Sequence, residues 1–240
     1  MATQTTARHG GRRGAVGALL AVLVGGCVVS PQPSPPVHDP ILDAGLVGVP
    51  EGIKVFHDQI SLQGQPGAVE PAGGVVVVTN LDSLDAPVLA EVGADGGFLV
   101  TMTASEGQVL RIQVKQEERR SAPLDLLLAG SPISGTNRTL DHLPCLEIDT
   151  WVSFEGGAGA RDVGVRNTCD EDVAIDAPRL RRGAAPFSVS PAAPFVVPAG
   201  GEAVVTVRAD GGGVEREDVL FLDVTSPEPG RRALTLTLPD

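Results

Sequence analysis

Residues 94–114, ADGGFLVTMTASEGQVLRIQV, decide the fold. The Asp95-Gly96 pair signals a hairpin turn. Beyond it Phe98, Val100 and Met102 alternate with Leu99, Thr101 and Thr103. After the turn at Glu106-Gly107, Leu110, Ile112 and Val114 alternate with Arg111, Gln113 and Lys115. A period of two puts one set inward and the other toward solvent, the pattern of half-buried strands. Working outward, Val75–Thr79 is a β-branched run suited to a buried strand, and Val88–Val92 and Leu124, Leu126 and Leu128 add two more. Ile53–Leu62 precedes them, with a turn-rich stretch at Gly64–Gly74.

The same grammar continues after a polar, turn-forming stretch at 131–142 that reads as a linker. Leu146, Ile148, Val152 and Phe154 alternate with polar neighbours, and so do Val163 with Val165 and Val173 with Ile175. Later come Phe187 and Val189, Phe195–Val197, and Ala203, Val205 and Val207. Leu220, Leu222 and Val224 form a further strand. Leu234, Leu236 and Leu238 close the chain, with Thr235 and Thr237 placed on the solvent side. Short, evenly spaced strands with turn signals predict an all-β chain of two tandem β-sandwiches.

Composition agrees. The 240 residues include 30 Gly and 20 Pro, no Tyr, one Trp and six Phe, and the formal net charge is −12. So acidic a chain is repelled by nucleic acid and by anionic lipid. The scarcity of aromatic rings leaves little for stacking sugars or bases.

The N-terminus carries an address. Arg8, Arg12 and Arg13 precede an apolar stretch from Gly14 to Val24, too short to span a bilayer, which is the layout of a secretory signal. Its end, Leu23-Val24-Gly25-Gly26-Cys27, resembles the lipobox of bacterial lipoproteins. That resemblance implies cleavage after residue 26, a lipid on Cys27, and attachment to the cell-envelope membrane through that lipid. Val28 in the second mature position implies the outer membrane. An ordinary secretory signal is the alternative, and Arg12-Arg13 fits twin-arginine export poorly. The prolines at 31, 33, 35, 36, 40 and 50 make 27–50 a spacer. With Cys27 lipidated, Cys145 and Cys169 remain as an even pair in an exported protein, expected to be disulfide-bonded, with two reduced structural cysteines as the alternative.

Two further resemblances follow. GQPGAVEPAGGVVVVTNL (64–81), the opening stretch and SAPLDLLL (121–128) resemble a bacterial Ig-like repeat domain, here 51–130, although Gln108 stands where an acidic residue is usual. A transthyretin-like module is a rival. VGVRNTC (163–169), FSVSP (187–191), FVVPAGGEAVVTVRA (195–209) and RRALTLTL (231–238) resemble hydin-like (ASH) Ig-fold domains, here 143–240. Asn167 and Pro198-Ala199-Gly200 hold the places that family gives to an asparagine and a turn.

Candidate chemistry is sparse. No Gly-x-Ser-x-Gly occurs, and His57 and His142 read as surface residues. His38-Asp39 lacks the ligand count of a metal site. Asp82, Asp85 and Asp95, or Asp170, Glu171 and Asp172, could approach calcium but match no calcium loop. Arg179, Arg181 and Arg182 could dock an anion but read as a solvated loop. Asn137-Arg138-Thr139 has the form of a glycosylation acceptor. Trp151 lies opposite the inner face and reads as a cap over the sandwich edge, or as an exposed contact residue. The expectation is a non-enzymatic structural or protein-interaction module with no cofactor and no metal, whose partner is an envelope protein. A small-ligand or carbohydrate-binding lipoprotein is the alternative, and an enzyme accessory or degenerate hydrolase is a third.

Overall fold

A computed structural model describes residues 38–49, 59–129, 138–139, 143–183, 186–211 and 216–239, which belong to one compact unit beginning at His38. The chain is all-β and forms two Ig-like β-sandwiches. Among the described residues the one helical element is a 3₁₀ turn, Ala44–Leu46, whose Gly45 N–H donates to Asp43. Among the same residues no helix is long and apolar enough to cross a membrane.

In the first sandwich Val47–Gly48, Gln59–Gly64 and Phe98–Thr103 make a three-stranded antiparallel sheet. It faces a second sheet ordered Arg138–Thr139, Leu124–Leu127, Val109–Gln116, Val75–Asn80, Val88–Glu91, with Arg119–Arg120 also paired to Val109–Gln116. The alternating apolar residues do what their period requires. Ile60, Leu62, Val100 and Met102 from one sheet meet Val76, Val78, Leu110, Ile112 and Val114 from the other in a single core. Gly64 is needed opposite Phe98, because a Cβ there would sit 2.2 Å from the ring.

The structure corrects two expectations here. Strands Ile41–Leu42 and Val47–Gly48 pair with Val69–Glu70 and Gln59–Gly64, and Val47 is buried, so the sandwich begins inside the stretch read as a spacer up to residue 50. The Asp95-Gly96 turn is real, with Gly96 at φ 79° and Gly97 N–H on Asp95. However, it joins Val88–Glu91 in one sheet to Phe98–Thr103 in the other, so it arches between layers instead of closing a hairpin. Gln108 has a structural use: its Oε1 accepts from Ser105 N–H and from Asn80 Nδ2.

In the second sandwich Leu146–Ile148, Gly159–Asn167, Glu202–Ala209 and Phe187–Ser190 form one antiparallel sheet. The facing sheet is ordered Trp151–Ser153, Gly230–Thr237, Glu217–Ser226, Val173–Ile175, Phe195–Val197, with Arg179–Leu180 also paired to Glu217–Ser226. Trp151–Ser153 runs parallel to its neighbour, Gly230–Thr237. The core holds Val163, Val165, Val205, Val207, Leu220, Leu222, Leu234 and Leu236.

Cys145 and Cys169 form a disulfide with Cα atoms 5.1 Å apart. It ties the chain just before the first strand of this sandwich to the loop after Asn167. Asn167 itself is fully buried. Its amide donates to the carbonyls of Glu171, Val197 and Pro198, and its Oδ1 accepts from Cys169 N–H, so one side chain ties three chain segments.

Candidate functional site: the seam between the two sandwiches

Alternation assigns Val109, Arg111 and Gln113 to the outside of the first sandwich, and Val219, Phe221, Ala233, Thr235 and Thr237 to the outside of the second. Val109 is half-buried and the others are buried. Arg111, Gln113, Thr235 and Thr237 are buried, because the two outer sheet faces meet each other. The placing of Thr235 and Thr237 in solvent is therefore corrected. Thr235 finds its partner across the seam, in Gln113, and Thr237 finds Trp151 on the neighbouring strand of its own sheet.

The apolar part of the seam is small: Leu81 and Val109 against Val219, Phe221 and Ala233. The rest is arginine. In the middle, Arg111 makes a bidentate pair with Asp125 at 2.7 and 2.8 Å and donates across the seam to the carbonyl of Ala233 at 2.6 Å. Thr235 donates to Gln113 Oε1 at 2.8 Å.

At one end, Arg181 of the second sandwich reaches the loop after Val75–Asn80. Its Nη1 donates to the carbonyls of Asn80, Ser83 and Asp85 at 3.1, 2.6 and 3.0 Å, and its Nη2 donates to Asp85 at 3.0 Å. Beside it Arg231 donates to Asp82 and Asp223, and Arg179 donates to Asp223. The guanidinium carbons of Arg179 and Arg231 lie 4.5 and 4.7 Å from the centre of the Phe221 ring. Asp82 also accepts from Val109 N–H, which fixes the edge of the first sandwich.

Electrostatics at this end follow from burial. Loss of water pushes the Arg181 guanidinium below its ordinary value, against the pull of Asp218. It pushes the Asp218 carboxyl up, although that group accepts the N–H groups of Val219 and Arg182. Burial would lower Arg231, but its bonds to Asp223 and Asp82 overcome this and raise it.

The other end is open. Arg120 makes a bidentate pair with Glu217 at 2.6 and 3.1 Å. Beyond that pair lies a cleft of about 400 Å³ between the Lys115–Arg120 hairpin and the second sandwich. Trp151, Ser153, Thr237 and Leu238 line it, together with Glu117, Glu118, Glu155 and Arg216, which are exposed. Trp151 is half-buried on its edge strand, and its Nε1 donates to Thr237 at 2.8 Å. It occupies a sheet edge, as expected of a cap, and it also lines the cleft. Glu117 sits in the two-residue turn of the hairpin at φ 54°, where Gly or Asn is more comfortable.

The other candidate residues are dispersed. Cys27, His57, Asn137 and His142 lie outside the described residues. His38 and Asp39 are exposed, and the His38 carbonyl accepts from Arg119. Asp82 serves the seam, Asp85 accepts from Ser83, and Asp95 caps its own turn. Asp172 accepts from Ala199 N–H. Among the described residues no group of three His, Cys, Asp or Glu is placed to hold a metal ion. The reading of Arg179, Arg181 and Arg182 as a solvated loop is corrected at Arg181, which is 6% exposed and binds main-chain carbonyls. Sequence reasoning passed over Arg111, Arg120, Glu217, Phe221 and Arg231. The signal was the unbroken apolar run Val219–Leu222, which has no solvent face to spare.

No protein-family model matches the chain, and no curated protein matches it. Solved structures that resemble it include the ASH/PapD-like domain 7 of human CEP192, at 17% identity over 45% of this chain and 94% of that one, with a TM-score of 0.30. The Pseudomonas aeruginosa CupB2 chaperone is 22% identical over 39% of this chain and 55% of that one, with a TM-score of 0.32. The Vibrio cholerae VesB protease is 14% identical over 71% of this chain and 63% of that one, with a TM-score of 0.36. Each is a partial likeness, and the reading of function rests on the seam.

Proposed function

We propose that this chain is a non-enzymatic protein-interaction module of the bacterial cell envelope, exported, lipidated at Cys27 and held at the outer membrane. The seam carries the interaction reading. Two domains on a common chain move relative to each other by default unless their interface is large and apolar. Here the apolar contact is small, and four arginines, Arg111, Arg120, Arg181 and Arg231, fix the orientation through directional bonds. A fixed orientation serves a partner that touches both sandwiches, because a preorganised surface loses less freedom on binding. The test is cross-linking in intact cells followed by partner identification, with the parent protein beside Arg181→Ala. A partner captured by the parent and lost from the variant is the expected outcome. Equal capture by both would remove the seam from the function.

Lipidation is tested separately. Fatty-acid labelling is expected in the parent and lost in Cys27→Ser, and labelling that persists would end that part of the reading.

One observation favours a second reading, a small-ligand or carbohydrate-binding lipoprotein. The cleft between domains holds the chain's single tryptophan beside carboxylates, and such inter-domain clefts are common ligand sites.

A further inference from the structure

Strand Val88–Glu91 ends its sheet: Val75–Asn80 pairs with it on one side, and among the described residues no strand pairs with it on the other. The Val92 N–H donates to the Gly74 carbonyl, so the hydrogen-bonded partners in this antiparallel ladder are Gly74 with Val92, Val76 with Ala90 and Val78 with Val88. Leu89 and Glu91 therefore turn their main-chain N–H and C=O groups toward the open side. Val88 and Ala90 pack on the first core, while the side chains of Leu89 and Glu91 point away from it. Leu89 is 65% exposed. Open edges are ordinarily guarded by proline, charge or small polar residues. In the second sandwich the edge strand Phe195–Val197 lies between Pro194 and Pro198, and Phe187–Ser190 exposes Ser188 and Ser190 and stops at Pro191. Here the residue at the open position is a leucine.

An open edge takes an extended strand, and this one is complementary to itself. Place a second copy antiparallel about a two-fold axis at Ala90. Leu89 then lies opposite Glu91 and Glu91 opposite Leu89, so the residues with open main-chain groups meet each other. On the inner face Ala90 meets Ala90 and Val88 meets Val92, which keeps that row apolar and continuous with both cores. Neighbouring registers are worse. An axis at Leu89 sets Glu91 opposite Pro87, which has no N–H, and an axis at Glu91 sets two carboxylates opposite each other. We infer that this chain forms a two-fold dimer with a second copy of itself, in which the two Val88–Glu91 strands pair about Ala90 and join two sheets into one. The inference goes beyond the interaction-module reading and does not rest on the seam.

The test is sedimentation equilibrium of the full mature chain carrying Cys27→Ser, which removes any lipid, up to about 100 μM. A monomer–dimer equilibrium is expected. Leu89→Pro deletes a donor that the parent sheet does not use, and Leu89→Lys sets a charge on the edge. Both should keep the parental melting temperature and weaken dimerisation by at least about tenfold. Should Leu89→Pro fail to fold, Leu89→Lys carries the test alone. Val204→Lys, at an exposed valine of the second sandwich, should dimerise like the parent. Amide exchange at Leu89 and Glu91 should slow as the parent is concentrated. A chain that stays monomeric, a folded Leu89 variant that dimerises like the parent, or concentration-dependent protection at another edge instead of this one would each overturn the inference.

Discussion

The two ends of the seam are built from the same residue types and do opposite things. At the Arg181 end Arg181 and Arg231 reach inward to carbonyls and to the Asp82 carboxylate of the facing sandwich, and Phe221 lies beneath Arg231 and Arg179. At the Trp151 end Arg120 pairs with Glu217 across the seam, and beyond it Glu117, Glu118, Glu155 and Arg216 stay exposed around a cleft. The difference teaches where charge is structural and where it is available. A buried charge must be matched on the spot, because desolvation leaves no alternative partner. An exposed charge at a cleft mouth stays hydrated until something displaces the water.

The comparison breaks most sharply at Arg181. Arg181→Ala leaves three carbonyls short of a donor and is expected to cost about 3–5 kcal/mol in denaturant unfolding. The loop at residues 80–85 should become the first site of limited proteolysis. Cys145→Ala with Cys169→Ala removes a cross-link spanning 24 residues and should cost about 3 kcal/mol in the same unfolding assay. Glu217→Gln takes the charge from the Arg120 pair at the open end. A loss of about 2 kcal/mol, together with a shift in Trp151 emission, is expected, and an unshifted emission would detach the cleft from the seam.

Asp218 gives a pH signature. Its carboxyl is raised above the ordinary 3.8, chiefly by burial, so the native state prefers it protonated. Its ionisation therefore works against the fold near neutral pH, and the fold regains that stability as pH falls through the raised value to below 3.8. Asp218→Asn keeps the Oδ1 acceptor for Arg182 and Val219 and removes the charge. The variant should melt higher than the parent near neutral pH, with the gap closing as the solution is acidified. A gap independent of pH would rule out burial as the cause. The smallest effect belongs to Glu118→Gln, within about 0.5 kcal/mol of the parent in the same unfolding assay, since an exposed, unpaired carboxylate holds nothing together.

How much of this could be read beforehand depends on what a period of two can say. It found the inward faces: Leu110, Ile112 and Val114 in one core, and Leu220, Leu222, Leu234 and Leu236 in the other, are buried as their alternation requires. It also gave the all-β class and, through cysteine counting, the disulfide. It could not tell an outward face that meets water from one that meets a second sheet, because Arg111, Gln113, Thr235 and Thr237 are polar in either case. Only the apolar outward residues, Val109, Val219, Phe221 and Ala233, mark the difference. The cleft was illegible for a related reason, since Glu117 and Glu155 are far apart in sequence and meet through tertiary packing alone. Ile41 and Val47 were hidden by the prolines around them, which signal a spacer more loudly than two short strands signal a sheet.

Arg181 contacts the facing loop through oxygens that every amino acid carries. The identities of Ser83 and Asp85 can therefore drift across generations without loosening the clasp, provided the loop keeps its length and path. Position 181 has no such freedom, because no other side chain offers a fork that reaches three carbonyls. In distant descendants of this chain the clasp should be traceable as a retained arginine facing a loop of constant length and changing spelling.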